Sequence, residues 1–245
     1  MRSWPPMSDG FSENFASINR NKRSICLDLK DGADVDHAKQ LITTADVVIE
    51  NFRPGVMDRL GLGYDDMATI NPALIFCSIS AFGQSGPRST EGGFDLTMQA
   101  MAGVMSVTGE PGGNPVKCGV PVCDFVSGLY GAFGITSALQ SRSVTGLGQH
   151  IDVAMLGATL AIGALQTSQF FGTGVDPEKL GSAHPRNAPY QAFQAADGYF
   201  GMAAGNNNLW ELVCDVVNRP ELCEQERFSN PTNRAANQAE LRDLL

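Results

Sequence analysis

The 245-residue chain is 43% hydrophobic, contains 27 glycines and carries a formal net charge of −9. That is enough apolar mass for a sizeable core, as one large domain or one domain plus part of another. The acidic balance argues against a general nucleic-acid or anionic-membrane binder, both of which need a basic surface, and the composition suits an α/β enzyme better than a disulfide scaffold or a disordered chain.

In chain order, Ser24–Leu29 is a short apolar run expected to form a strand, followed by a helix to about Thr44 capped by Asp34 or Asp36. Asp46–Phe52 is a second strand, rich in β-branched residues, and Arg53-Pro54-Gly55 is a turn. Two short helical stretches follow, the second over Asp65–Ile70, and Leu74–Ser80 is a third strand. Short apolar strands separated by helical patterns predict a parallel sheet with helices on both faces. Phe94–Val104 and Asp124–Ser141 are expected helices, Gln149–Met155 a strand and Leu156–Phe171 a further helix. The texture then changes. Residues 176–191 hold Pro177, Pro185 and Pro189, Asp197-Gly198 marks a hairpin between two strands, and Leu209–Val217 is a helix.

The six cysteines form no CxxC pair and read as free thiols of a reducing compartment. The three histidines have no ligand spacing, so no metal site is expected. No apolar run of membrane-spanning length and no signal-peptide core is read, which makes the expectation a soluble, cytoplasmic protein. Ligands of open α/β sheets bind beyond the carboxyl ends of the strands. Two loops lie there, Asn51–Gly55 and Phe82–Arg88, each with an arginine beside glycines. Arg88 or Arg59 offers a phosphate the guanidinium fork; the competing reading is ordinary crossover loops with solvated arginines.

The same loops carry a likeness. The blocks Asn19–Ile25, DVVIENFRPG at 46–55, Arg59-Leu60-Gly61, ISAFGQSGPR at 79–88, Gly93-Phe94-Asp95, Asp124 with Gly128, GLGQHIDVAM at 146–155, and Ala188-Pro189-Tyr190 with Asp197-Gly198 resemble, in order and spacing, those of family III CoA-transferases, the CaiB/BaiF family that includes formyl-CoA and carnitine CoA-transferases. The resemblance implies a Rossmann-like large domain and a smaller α+β domain, with two full-length subunits interlocked as a homodimer. It implies CoA transfer between an acyl-CoA and a free carboxylic acid, with coenzyme A as substrate and no permanently bound cofactor. CoA contacts are expected at Asn51, Val56, Met57, Arg59, Ala81, Phe82, Arg88 and Asp124. By the same likeness, residues 1–172 are the large CoA-binding domain, 173–187 a linker and 188–245 the start of the small domain. The family's opening β–α unit and its closing segment would then be missing, as in a truncated gene.

The chain departs from the family at the nucleophile. The family's catalytic aspartate lies five residues after the first aspartate of this block, where the chain has Ile151-Asp152-Val153-Ala154-Met155-Leu156-Gly157. Gly157 has no carboxylate with which to attack a thioester. Asp124 and Asp152 are the remaining catalytic candidates, each with a structural role as the alternative: a helix N-cap for Asp124, a structural aspartate for Asp152. Phe94 stands where the racemase branch has its histidine base. His184 and Arg186, in a His-Pro-x-x-x-Pro-Tyr pattern, are candidate substrate residues, Arg186 facing an acidic acyl group or forming a surface charge. Against the transferase reading stands a catalytically inactive CoA-binding fragment or pseudogene product.

Overall fold

The computed structural model describes residues 2–245. In chain order its elements are β1 (Met7–Ser8), β2 (Phe11–Ser12), α1 (Glu13–Ile18), α2 (Gly32–Thr43), β3 (Val47–Glu50), α3 (Val56–Arg59), α4 (Tyr64–Ile70), β4 (Ile75–Ser80), α5 (Asp95–Met101), α6 (Val104–Val107) and α7 (Val122–Thr145). There follow β5 (Gln149–Ala154), α8 (Met155–Ile162), α9 (Ala164–Thr173), β6 (Tyr190–Ala195), β7 (Gly198–Ala203), α10 (Asn207–Val216), α11 (Glu221–Glu224), a 3₁₀ turn at Glu226–Phe228, α12 (Pro231–Ala236) and α13 (Gln238–Leu244).

The central sheet is parallel, in the order β3-β4-β5. The in-register residues Cys77 and Ile151 face α7, and two glycines let that helix close on the sheet. A Cβ at Gly131 would lie 3.4 Å from Ile79, and one at Gly134 would lie 3.0 Å from Ile151. The opposite face packs Phe76 with Ile42, Leu62, Met67 and Leu74, against α2 and α4. Burying a side chain such as Phe76 contributes about 1.5–3 kcal/mol. The expected α/β class, a parallel sheet between helical layers, is what the chain forms. Gly148 sets up the entry to β5: its N–H donates to Pro72 O at 2.9 Å, and a Cβ there would fall 1.9 Å from Leu74 O.

Several local expectations are corrected. Ser24–Leu29 joins no ladder among the described residues, leaving β3 at the edge of the sheet, and most of the segment is exposed. An apolar run without a neighbouring ladder is not a strand. The cap of α2 is Asp31, whose carboxylate accepts from Ala33 N–H at 2.8 Å; Asp34 lies inside the first turn and accepts from Asp28 N–H at 2.7 Å. The helix expected over Leu156–Phe171 is two helices, divided at Gly163. By length and composition α7 is apolar enough to cross a membrane; glycines and hydroxyl residues interrupt the run and hid this in the sequence. One side of it packs on β4, β5 and α8, while Phe125, Leu129 and Phe133 stay exposed.

Beyond α9 the antiparallel pair β6–β7 joins at Ala195↔Gly198. A separate cluster of Ala188, Trp210, Cys214, Leu222, Phe228 and Leu241 gathers the C-terminal helices. At its centre Arg234 is fully buried and donates to Ala188 O (2.9 Å), Phe228 O (3.0 Å) and Asn207 Oδ1 (3.1 Å). Burial lowers its pKa from the ordinary arginine value.

Candidate active site

The carboxyl ends of β3, β4 and β5 open into a cleft of about 660 Å³, within the size range of small-molecule sites, roughly 300–1,000 Å³. Residues 51–54 after β3 and residues 79–81 at the end of β4 line it, and both following loops are anchored. After β3, Phe52 N–H donates to the Glu50 carboxylate at 2.8 Å, Asn51 Nδ2 donates to Ile79 O at 2.5 Å, and Val56 N–H closes the turn on Arg53 O at 3.1 Å. After β4, Gly83 N–H donates to Ser80 Oγ at 3.1 Å and Gln84 N–H to the Asp152 carboxylate at 2.8 Å. Gly83 has φ +89°, and a Cβ there would stand 3.2 Å from that carboxylate. Only glycine meets both conditions without strain.

The floor is Ala81, Gly93, Ser127, Gly128 and Met155; Phe52, Arg53, Glu91, Phe94 and Asp124 edge the opening. Asp124 is the third residue of α7. It does not cap the helix: Pro121 holds that position, and Asp95 reaches across from α5 to accept the Cys123 N–H at 2.9 Å. The Asp124 carboxylate accepts no hydrogen bond among the described residues. Desolvation, and then the nearby charge of Asp95, raise its pKa above the ordinary aspartate value.

The sequence candidates separate. Asn51, Ala81 and Asp124 line the cleft. Phe82 and Arg88 stand behind it: the Arg88 guanidinium lies 4.3 Å over the Phe82 ring and grips both oxygens of Glu91 at 2.9 and 2.6 Å. The paired arginine holds the Glu91 carboxyl below its ordinary pKa. Val56, Met57 and Arg59 occupy α3, outside the cleft lining. Asp152 is bound to the Gln84 amide. Gly157 is exposed in the first turn of α8, and the nearest atom to a Cβ there would be Ala154 Cβ at 3.8 Å. His184 stacks on Tyr190 and accepts from Arg186 N–H at 3.1 Å. Arg186 donates to Leu165 O (2.8 Å) and Ser168 Oγ (2.9 Å) on α9, so neither lines the cleft. The arginine noted in the loop after β3, Arg53, lines the cleft, whereas Arg59 and Arg88, the two named for a phosphate, do not. Among the described residues no group of three or more His, Cys, Asp or Glu side chains is placed to hold a metal.

The sequence profile of CoA-transferase family III matches residues 1–245. The chain belongs to this family. It is 42% identical over 245 residues to an acetyl-CoA:oxalate CoA-transferase of Acetobacter aceti, covering all of this chain and 63% of that protein. It is 38% identical over 251 residues to a succinate–glutarate CoA-transferase of Agrobacterium fabrum, with the same two coverages, 100% and 63%. A crystal structure of a CaiB/BaiF family protein from Brucella suis superposes with a TM-score of 0.83 at 40% identity, over 99% of this chain and 66% of that one. The family III chain thus spans a little under two thirds of the length of these curated relatives.

Proposed function

We propose that the protein moves CoA between an acyl-CoA and a free carboxylic acid, and that at least one of the acids is dicarboxylic. The relatives' names support the substrate class, since oxalate, succinate and glutarate each carry two carboxylates. The observation that carries the chemistry is Asp124, a carboxylate that lines the cleft and accepts no hydrogen bond among the described residues. A carboxylate that opens on the cleft and is not engaged by protein donors is available to attack a thioester carbonyl.

In this reading an Asp124 oxygen attacks the thioester carbonyl, the C–S bond breaks and CoA thiolate leaves a mixed anhydride. The thiolate then attacks Asp124 Cγ and releases the donor acid as its carboxylate, giving an aspartyl-CoA thioester. The acceptor carboxylate attacks the same carbon, CoA thiolate departs again, and its attack on the acceptor acyl carbon yields the new acyl-CoA and frees Asp124. No proton need move, and CoA and both acids are conserved. Asp152 supports this role less well, because its carboxylate is engaged by the Gln84 amide.

Incubation with succinyl-CoA and free glutarate, followed by chromatography of the thioesters, tests the reading. Formation of glutaryl-CoA with release of succinate is expected; hydrolysis alone, or no turnover, contradicts it. The homodimer belongs to the same proposal. It is supported by Phe125, Leu129 and Phe133, which recur every four residues along α7 and are 60%, 69% and 70% exposed, a surface a second subunit would cover. Sedimentation should give a dimer; a monodisperse monomer contradicts it.

A further inference from the structure

We infer that Arg53 is the specificity residue of the cleft and pairs with the second carboxylate of a dicarboxylic acyl group; this rests on the CoA-transfer reading. The cleft edge carries three charged side chains, Arg53, Glu91 and Asp124. Glu91 is neutralised by the two-point grip of Arg88. Asp124 has no ion-pair partner among the described residues, and desolvation and Asp95 raise its pKa. Arg53 makes no side-chain hydrogen bond or ion pair among the described residues. The cleft therefore presents one uncompensated cation.

Its setting selects a planar anion. The guanidinium packs against Gly92, where a Cβ would come within 3.3 Å of Nε and Nη2 and 3.6 Å of Cζ. A side chain at position 92 would push the fork out of this place. Phe52 and Phe94 line the same cleft; once a ligand displaces water there, a pair with Arg53 is less screened than on open surface. A planar fork matches a carboxylate through two parallel N–H donors, which an ammonium cannot reproduce. Arg53 is held at its backbone by the turn to Val56, which roots the side chain at the cleft.

A CoA phosphate is the other anion this fork accepts, and calorimetry with three ligands separates the two. Wild-type chain, Arg53→Gln and Arg53→Lys are titrated with CoA, acetyl-CoA and succinyl-CoA, after urea unfolding confirms that the exposed substitutions leave stability unchanged. Arg53→Gln should weaken succinyl-CoA by about tenfold or more while CoA and acetyl-CoA stay within about twofold, the loss expected for a charge-assisted pair. Arg53→Lys should fall between. Equal weakening of all three ligands assigns Arg53 to a phosphate and overturns the inference, as does no change for any. Failure of the wild type to bind CoA in any form overturns the underlying CoA-transfer reading instead.

Discussion

The loops after β3 and β4 hold similar ingredients, an arginine beside glycines at the carboxyl end of a parallel strand, and spend them differently. Arg88 is engaged at the surface, stacked on Phe82 and clamped to Glu91. Arg53 is left to the cleft. The second loop is braced by Ser80 and Asp152. Asp152 thereby acts on the site through the loop, while Asp124 faces the cleft itself. An arginine's place in a motif fixes where its backbone lies; whether its charge is available depends on acids brought near by the fold.

Disturbing the braced loop should have the largest effect. Gly83→Ala places a methyl 3.2 Å from the Asp152 carboxylate at a positive φ and should cost about 1–3 kcal/mol in urea unfolding. Asp152→Asn keeps an acceptor for the Gln84 amide but removes its charge. It should cost about 1 kcal/mol, with a larger loss for Asp152→Ala on the same assay. If both variants match the wild type, the loop is not held by this carboxylate.

Glu91→Gln breaks the two-point grip and releases Arg88. CoA affinity should then rise a few-fold through the freed cation, and the gain should disappear in Glu91→Gln/Arg88→Gln. An unchanged affinity would mean that Arg88 cannot reach the ligand even when free. The smallest effect concerns Asp124. Its folded pKa is raised by desolvation and by Asp95, so its stabilising contribution is complete below the unfolded pKa and is lost as pH rises through the folded one. Asp124→Asn should therefore raise Tm slightly at pH 7, and the difference should vanish as the pH is lowered. The opposite sign would show that the carboxylate is stabilised in its charged form.

The three sheet strands were legible because each is a compact apolar run with β-branched residues, and the order of motifs was enough to place the chain in its family. The residues around them were less legible for specific reasons. Ser24–Leu29 has strand-like composition but no partner. Asp31 rather than Asp34 caps α2, a choice one turn wide that depends on where the backbone turns. Asp95, distant in sequence, supplies the N-terminal acceptor that Asp124 was expected to provide for α7. Arg53 and Arg88 could be told apart only once Glu91 was seen beside one of them. That Gly157 lacks a carboxylate is read directly from the sequence; the structure adds that a Cβ there would meet nothing closer than Ala154 Cβ at 3.8 Å.

The most direct test of the account is to trap the enzyme thioester. The protein is incubated with succinyl-CoA, reduced with borohydride or treated with hydroxylamine, digested, and its peptides are weighed. The account predicts a modified Asp124 in the peptide that begins α7, absent from Asp124→Asn. Modification of Asp152 or another carboxylate, or glutaryl-CoA formation with no modified peptide at all, would contradict it.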